Sequence, residues 1–505
     1  MFNRKERRDR KPEKCVGMIS LCSLRSLRLN PFKFSFLFSA FQFLLSCFLL
    51  SGCVAGPDYQ RPSVATSAAY TGATNEWKIA RPQASLPKGN WWQLFADAEL
   101  NRLETNAAAA NPSLQAAAAR FAQARASANV ARAGLFPHLE AVPSVTRERD
   151  SANRPVNGAP AGHGSTYSTF TIPFDLGYEV DLWGRVRRTT EAARAEEQAS
   201  ADDYESARLS LAAEVASDYF AVRALDAEIA LLQTNVEVFK RSLTLTRNRR
   251  AGGIATDLDV SQAETVLAAT EAQIPAAALE RLKLQHALAV LTGQDPSGFA
   301  LASQPQALTG APIIPPGVPS ELLERRPDIA AAERRMAAAN ARIGLTRAAC
   351  FPTVRLSAAA GLESVDAGTL FHWPSRMWAL GSSLTAPLFE GGSLRATERL
   401  AEAASVESAA NYRQTVLSAF ADVEDNLAAQ QLLAVEYTAQ SQALQSARKT
   451  LEIANNRYTA GLVTYLEVAT AQNEELAREQ AVVQLRGSQL VTAVSLVKSL
   501  GGGWR

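Results

Sequence analysis

Two periods of apolar residues organise this 505-residue chain. From Arg185 to Ala251, and again from Ser393 to Ala460, there is neither Gly nor Pro. Both runs are rich in Ala, Glu, Leu, Arg and Gln, the residues that favour helix. Apolar positions such as Leu209, Ala212, Ala213, Val215, Ala216, Tyr219 and Phe220 recur at helical spacing. At 1.5 Å per residue each run predicts a helix about 100 Å long, which suits a fibrous coiled coil or a structure bridging a wide space. Each helix turns at glycine, at Gly252/Gly253 or at Gly461, and returns in a second helix at about 258–292 or 464–500. Pro275 is expected to kink the first return helix.

Elsewhere the period is two. Phe170, Ile172, Phe174, Leu176, Tyr178, Val180 and Leu182 alternate with Thr171, Pro173, Asp175, Gly177, Glu179 and Asp181, a strand with one apolar and one acidic face. Weaker alternation at 138–147, 353–362 and 377–388 predicts three more strands, paired as two hairpins with loops near 150–166 and 363–375. Strands near ten residues long fit a membrane barrel, and a soluble sandwich is the competing reading. Four strands cannot close a barrel, and open edges are not tolerated in lipid. A dimer would supply eight strands around a filled interior; a trimer would supply twelve, with room for a lumen lined by Asp175, Glu179 and Asp181.

The chain also repeats itself. Asn111-Pro112-Ser113-Leu114 opens a short helix that ends at Leu135-Phe136-Pro137, and Arg326-Pro327-Asp328-Ile329 opens another that ends at Cys350-Phe351-Pro352. Gly253-Ile254-Ala255-Thr256-Asp257-Leu258 matches Gly461-Leu462-Val463-Thr464-Tyr465-Leu466, 208 positions later. A period of this size is a duplication rather than a solenoid repeat. The expected organisation is an N-terminal equatorial segment at 53–110, repeat 1 at 111–292, a linker at 293–325, repeat 2 at 326–500 and a tail at 501–505.

Charge changes the picture at the N-terminus. The formal net charge is +2, but residues 1–52 hold ten basic and three acidic residues (+7) while the rest holds 42 and 47 (−5). A global basic field for nucleic acid is therefore not expected. The basic stretch precedes a Phe/Leu-rich run from Phe34 to Leu50, the order of an export signal. Leu50-Ser51-Gly52-Cys53 then resembles a lipobox, which makes 1–52 a lipoprotein signal and Cys53 the lipidated residue. Leu44-Leu45-Ser46-Cys47 is a poorer candidate, and Met18 is an alternative start to Met1. Val54 follows the cysteine where lipoproteins retained in a bacterial inner membrane carry Asp, so outer-membrane sorting is expected. Cys350 is then the remaining free thiol, and no intrachain disulfide is expected.

Several motifs in order resemble the TolC-like outer membrane factors, in their lipoprotein branch of the NodT and OprM type. They are Cys53 with Gly56-Pro57-Asp58-Tyr59, Trp91-Trp92-Gln93-Leu94-Phe95, Asp181-Leu182-Trp183-Gly184-Arg185, the run Pro319 to Ile329, Pro387-Leu388-Phe389-Glu390-Gly391-Gly392, and Gly501-Gly502-Gly503-Trp504. The resemblance covers about 53–505. It implies an α+β membrane protein: a homotrimer with a twelve-stranded β-barrel, four strands per chain, over a periplasmic α-helical barrel with a mixed equatorial belt. It implies passive export of small molecules or drugs, driven by an inner-membrane pump of the RND type through a periplasmic adaptor. The turns Gly253-Ile254-Ala255-Thr256 and Gly461-Leu462-Val463-Thr464 match the tip that meets adaptor hairpins. Leu466 matches the constriction of the periplasmic aperture. Thr470 stands where relatives place an acidic ring and Asn473 where some carry a basic residue, so the resemblance implies a leucine constriction with weak cation selectivity.

No catalytic set is evident, and no enzyme activity or cofactor is expected beyond the covalent lipid. His138, His163, His286 and His372 are scattered without metal-ligand spacing. No Gly-rich phosphate loop follows a strand. Trp91-Trp92 reads as belt packing, with a ligand platform as the alternative. A duct for protein or metal-ion export, and a periplasmic structural lipoprotein without a pore, are the competing functional readings.

Overall fold

The computed structural model describes residues 54–61, 89–153, 164–306, 308, 310–312, 314 and 325–502. The signal at 1–52, Cys53, part of the linker and the end of the tail lie outside the described residues.

Helices account for most of the fold. A short 3-10 turn at Trp91–Phe95 precedes α1 (Ala98–Ala110) and α2 (Pro112–Ala133). The long helix α3 spans Arg185–Ala251 and its return helix α4 spans Asp257–Leu291. The second repeat mirrors this with α5 (Pro327–Ala348), α6 (Ser393–Thr459) and α7 (Tyr465–Ser499). Both long helices have 67 residues, bounded where the sequence first supplies glycine. The helix α4 runs on through Pro275, which lies inside it. Each long helix is flanked by two shorter ones, α2 and α4 beside α3, α5 and α7 beside α6. The helices α5 and α7 also pack on α3, and this joins the two repeats.

The strands form one antiparallel sheet from β1 (His138–Ala141), β2 (Ser144–Arg149), β3 (Thr166–Val180), β4 (Thr353–Ser364) and β5 (Arg376–Thr385). β1 and β2 both pair with β3, as one strand broken at Val142-Pro143, where proline has no N–H for the ladder. β3 pairs with β4, and β4 with β5, so the two hairpins form one continuous sheet. The alternation read as far as Leu182 ends earlier, because the Leu182 N–H turns back to the Val180 carbonyl at 2.9 Å. Asp181 therefore stands past the strand rather than on it.

The register sorts the faces. Leu176 lies opposite Leu139 and Ala358, Phe174 opposite Ala141 and Ala360, and Ala358 opposite Leu380. Leu139, Val145, Phe174, Leu176, Leu356, Trp378, Leu380 and Leu384 all lie on this face and all are exposed. A continuous exposed apolar face is what lipid, rather than water, would cover. No helix among the described residues is long and apolar enough to cross a membrane. The main core lies elsewhere, where Trp91, Leu100, Leu103, Tyr219, Phe220, Leu288, Leu490 and Val494 pack together. A second core at the far end of the long helices holds Leu232, Phe239, Tyr458, Tyr465 and Val468.

Candidate functional site

Three places gather the residues singled out from sequence. The first is the tip where both long helices turn. At each C-terminus the same pair of bonds closes the turn: Gly253 N–H to Arg250 O (2.8 Å) with Ile254 N–H to Arg249 O (2.9 Å), and Gly461 N–H to Tyr458 O (3.0 Å) with Leu462 N–H to Arg457 O (2.9 Å). This is the Schellman pattern, which needs a left-handed residue. Gly253 (φ 76°) and Gly461 (φ 77°) supply it, and a side chain there would be strained. Beyond the turns Ile254, Leu258, Leu462 and Leu466 are exposed, with Ala255 and Val463 half-buried between them.

One carboxylate closes both turns. Asp259 accepts from the Thr256 N–H (2.8 Å) and hydroxyl (2.7 Å) through Oδ2, and from the Tyr465 N–H (3.0 Å) of the other repeat through Oδ1. Burial pushes this carboxyl up, but the bonds from Thr256 and Tyr465 outweigh burial and hold it below the ordinary range. The Tyr465 ring is buried, and its hydroxyl meets Gln472 Oε1 at 2.9 Å. In repeat 2 Thr464 makes no side-chain cap, and Glu467, the counterpart of Asp259, instead pairs with Arg457 at 3.2 Å. Sequence reading identified both turns but not the Asp259 link, whose only local signal was Thr256 followed three residues later by an acid.

Leu466, Thr470 and Asn473 follow the tip along one exposed stripe of α7, opposite the buried Tyr465, Val468, Ala469 and Gln472. The Thr470 hydroxyl donates back to the Leu466 carbonyl at 2.8 Å. Glu467 lies off this stripe and is paired with Arg457, and Glu474, one turn beyond Thr470 on the stripe, is paired with Arg478 at 2.7 Å.

The second place is the polar face of the sheet. Asp175 lies opposite Glu140, and Glu179 opposite Arg355. Glu179 is held by Arg185 through two bonds of 2.7 and 2.6 Å, and Asp181 accepts from the Arg187 N–H at 2.8 Å. Of the three acids expected in a lumen, Asp175 and Glu179 share the face opposite the apolar one, and Asp181 instead caps the start of α3.

The third place is where the chain enters the fold. Val54 sits against Gly184, where a Cβ would come within 2.8 Å of its Cγ1. The Ala55 N–H donates to Trp183 O at 2.9 Å. Arg188, with its side chain 4% exposed, reaches Asp58 at 2.7 Å. Asn340 donates to Pro57 O at 3.0 Å, and the Tyr59 hydroxyl to Glu333 at 2.7 Å. Gly56 and Gly344 meet backbone to backbone, with no space for a Cβ on Gly56. The residue after Cys53 is thus fixed at the junction of sheet and helices. Gly56-Pro57-Asp58-Tyr59 and Trp183-Gly184 are separate motifs along the chain, and the structure brings them together.

The family model described as outer membrane efflux protein matches residues 103–294 and 318–502. The chain belongs to this family. A probable efflux pump outer membrane protein of Pseudomonas putida, TtgC, is 34% identical over 465 residues, covering 91% of this chain and 94% of its own length. Outer membrane protein OprJ of Pseudomonas aeruginosa is 34% identical over 463 residues, covering 91% and 95%. Among solved structures, the outer-membrane channel OprN is similar with a TM-score of 0.82 at 31% identity, covering 90% of this chain and all of that one. CusC, described through its folding and transmembrane channel formation, gives a TM-score of 0.79 at 28% identity, covering 89% of this chain and 100% of its own. The α+β fold class is thus that of the outer-membrane channels, and efflux through the outer membrane is the family's function.

Proposed function

We propose that this chain forms the outer-membrane exit duct of a tripartite efflux system. Three copies close a twelve-stranded barrel over a helical barrel, and small molecules leave passively, expelled by an inner-membrane pump of the RND type through a periplasmic adaptor. The observation that carries the reading is the open four-strand sheet with an exposed apolar face, set directly on two 67-residue helices. Such a sheet has edges that lipid does not tolerate, and more copies of the same chain complete it. Relatives are described as exporting toluene, solvents, antibiotics and pyoverdine, which supports small molecules as the substrate class.

In this reading Ile254, Leu258 and Leu462 are the apolar side chains that adaptor hairpins cover, and Leu466 narrows the aperture with Thr470 and Asn473 above it. Acyl chains on Cys53 anchor the duct, because Val54 is held level with the end of β3. Fatty-acid labelling is expected to vanish in Cys53→Ala; persistence would move the site to Cys47.

Deleting the gene tests the function. Sensitivity to dyes, drugs and solvents should rise and return to normal when the chain is restored. Unchanged sensitivity, together with no conductance from the purified protein in planar bilayers, would sink the reading. The same recordings test the aperture, where weak cation selectivity is expected and strong trivalent-cation block mapping to Thr470 would contradict it.

A further inference from the structure

A cavity of about 410 Å³ opens beside the main core, away from the tip and the sheet. Its walls include Trp91, Trp92, Ala108, Leu209 and Leu211, and they carry one buried acid, Glu104 on α1. Glu104 is 2% exposed, and its Oε1 is sealed from solvent with no hydrogen-bond partner among the described residues. A buried polar atom without a partner costs about 1–3 kcal/mol, so α1 tolerates a loss that Leu at this position would avoid. Trp91 and Trp92 meet edge to face at 5.9 Å and supply aromatic surface next to the acid. Arg208 at the rim is matched by Glu205 at 2.8 Å, so the mouth carries no net positive charge to repel a cation.

We propose that this cavity binds a small apolar amine, with Glu104 as its counter-ion and the tryptophans as its apolar and cation-binding wall. An ammonium group beside Glu104, which lines the cavity, supplies a hydrogen-bond donor and a charge that makes its ionisation favourable. The volume falls in the range of pockets for small organic ligands. A neutral ligand of the same shape would fill the cavity but leave the acid unpaired. Empty, the acid is held neutral, because burial pushes it up to about 9. The amine is already protonated at neutral pH, so its binding drives the Glu104 proton into the buffer, one proton per ligand at most.

Titration calorimetry on the full-length assembled protein in lipid nanodiscs tests this, using 4-phenylbutylamine and its neutral isostere 4-phenylbutan-1-ol. Repeating the titration in two buffers of different ionisation heat counts the released proton. The amine should bind saturably, once per chain, with close to one proton released at pH 7. The alcohol, and the amine on Glu104→Gln, should bind at least about thirtyfold more weakly, as for the loss of one partner of a buried ion pair. Ala108→Phe, a change at an exposed rim position, should block the cavity without touching the acid. It carries the test if Glu104→Gln fails to assemble. No saturable binding, equal binding of amine and alcohol, or no proton release would overturn the proposal. A cavity occupied by the neighbouring copy would give the first of these results.

Discussion

The two long helices have equal length and the same glycine boundaries, yet they live in different surroundings. The first, α3, buries 23 of its residues, whereas α6 buries nine. Five other helices pack on α3, and α6 touches chiefly α5 and α7. The same residue type shows the difference best. Leu209 on α3 is 8% exposed, and Leu417, 208 positions later at the equivalent place, is 53% exposed. Leu400, Val406, Leu432, Val435 and Ile453 on α6 are exposed as well. The duplication kept the local helical signal and changed what the apolar face meets. In repeat 1 the face became the core of one chain. In repeat 2 it remained an edge of the single chain, and a row of exposed apolar residues on a long edge is a surface that another copy is expected to cover.

The sharpest way to break this comparison is to charge the matched leucines. Leu209→Asp places a carboxylate in the core and is expected to cost several kcal/mol, enough to prevent folding. Leu417→Asp should leave the chain helical by circular dichroism and abolish the oligomer by light scattering. A stable oligomer from Leu417→Asp would show that α6 is not the interface.

Buried charge gives the next largest contrast. Asp226 is 2% exposed and accepts from Arg223 at 2.9 Å, Arg281 at 2.6 Å and the Gln304 N–H at 3.1 Å. Its counterpart in repeat 2 is the exposed Ala434. Asp226→Ala strands two guanidinium groups and is expected to cost about 3–5 kcal/mol in thermal or denaturant unfolding. Ala434→Asp should stay within about 0.5 kcal/mol.

Glu104 sharpens the same point through pH, since it is a buried acid without the cations that Asp226 has. Burial raises it from 4.5 to about 9. At acidic pH it is neutral folded or unfolded and adds no pH-dependent cost. As pH rises past 4.5 the unfolded chain ionises first, so stability drains away until the folded group ionises near 9. Glu104→Gln should match the wild type at acidic pH and become more stable by a few kcal/mol as pH approaches 9. Parallel melting curves across this range would show that Glu104 has a partner in the assembled protein.

Much of the fold was legible because its signals are local. The absence of Gly and Pro marks α3 and α6 to within a residue, and period two marks β3 and β4. What the sequence did not reveal depends on contacts distant along the chain. Pro143 breaks the first strand, yet pairing with β3 continues on both sides. Asp181 keeps the alternation but leaves the sheet, because the Arg187 N–H at the start of α3 competes for it. Arg188 reads as one more surface charge until Asp58, 130 residues earlier, closes on it. The tip turns were visible as glycine motifs, while the bond from Tyr465 to Asp259 spans 206 residues and has no local trace.

That bond sets up the smallest contrast between the repeats. Asp259 and Glu467 each stand three residues after the threonine that opens a return helix. The first is buried and accepts three bonds, so its carboxylate is stabilising above the ordinary range of such groups and loses this effect as pH falls through its lowered value. The second is half-exposed in a surface ion pair, worth about 0.2–1 kcal/mol. Asp259→Ala leaves the Tyr465 N–H without an acceptor and should open the tip locally by about 1–3 kcal/mol. Hydrogen exchange at Tyr465 should then speed by about tenfold to a hundredfold, with global melting little changed. Glu467→Gln should alter exchange there by no more than about fivefold. Equal effects of the two substitutions would mean that the turns are held by their glycine geometry alone, and that the repeats are equivalent at the tip after all.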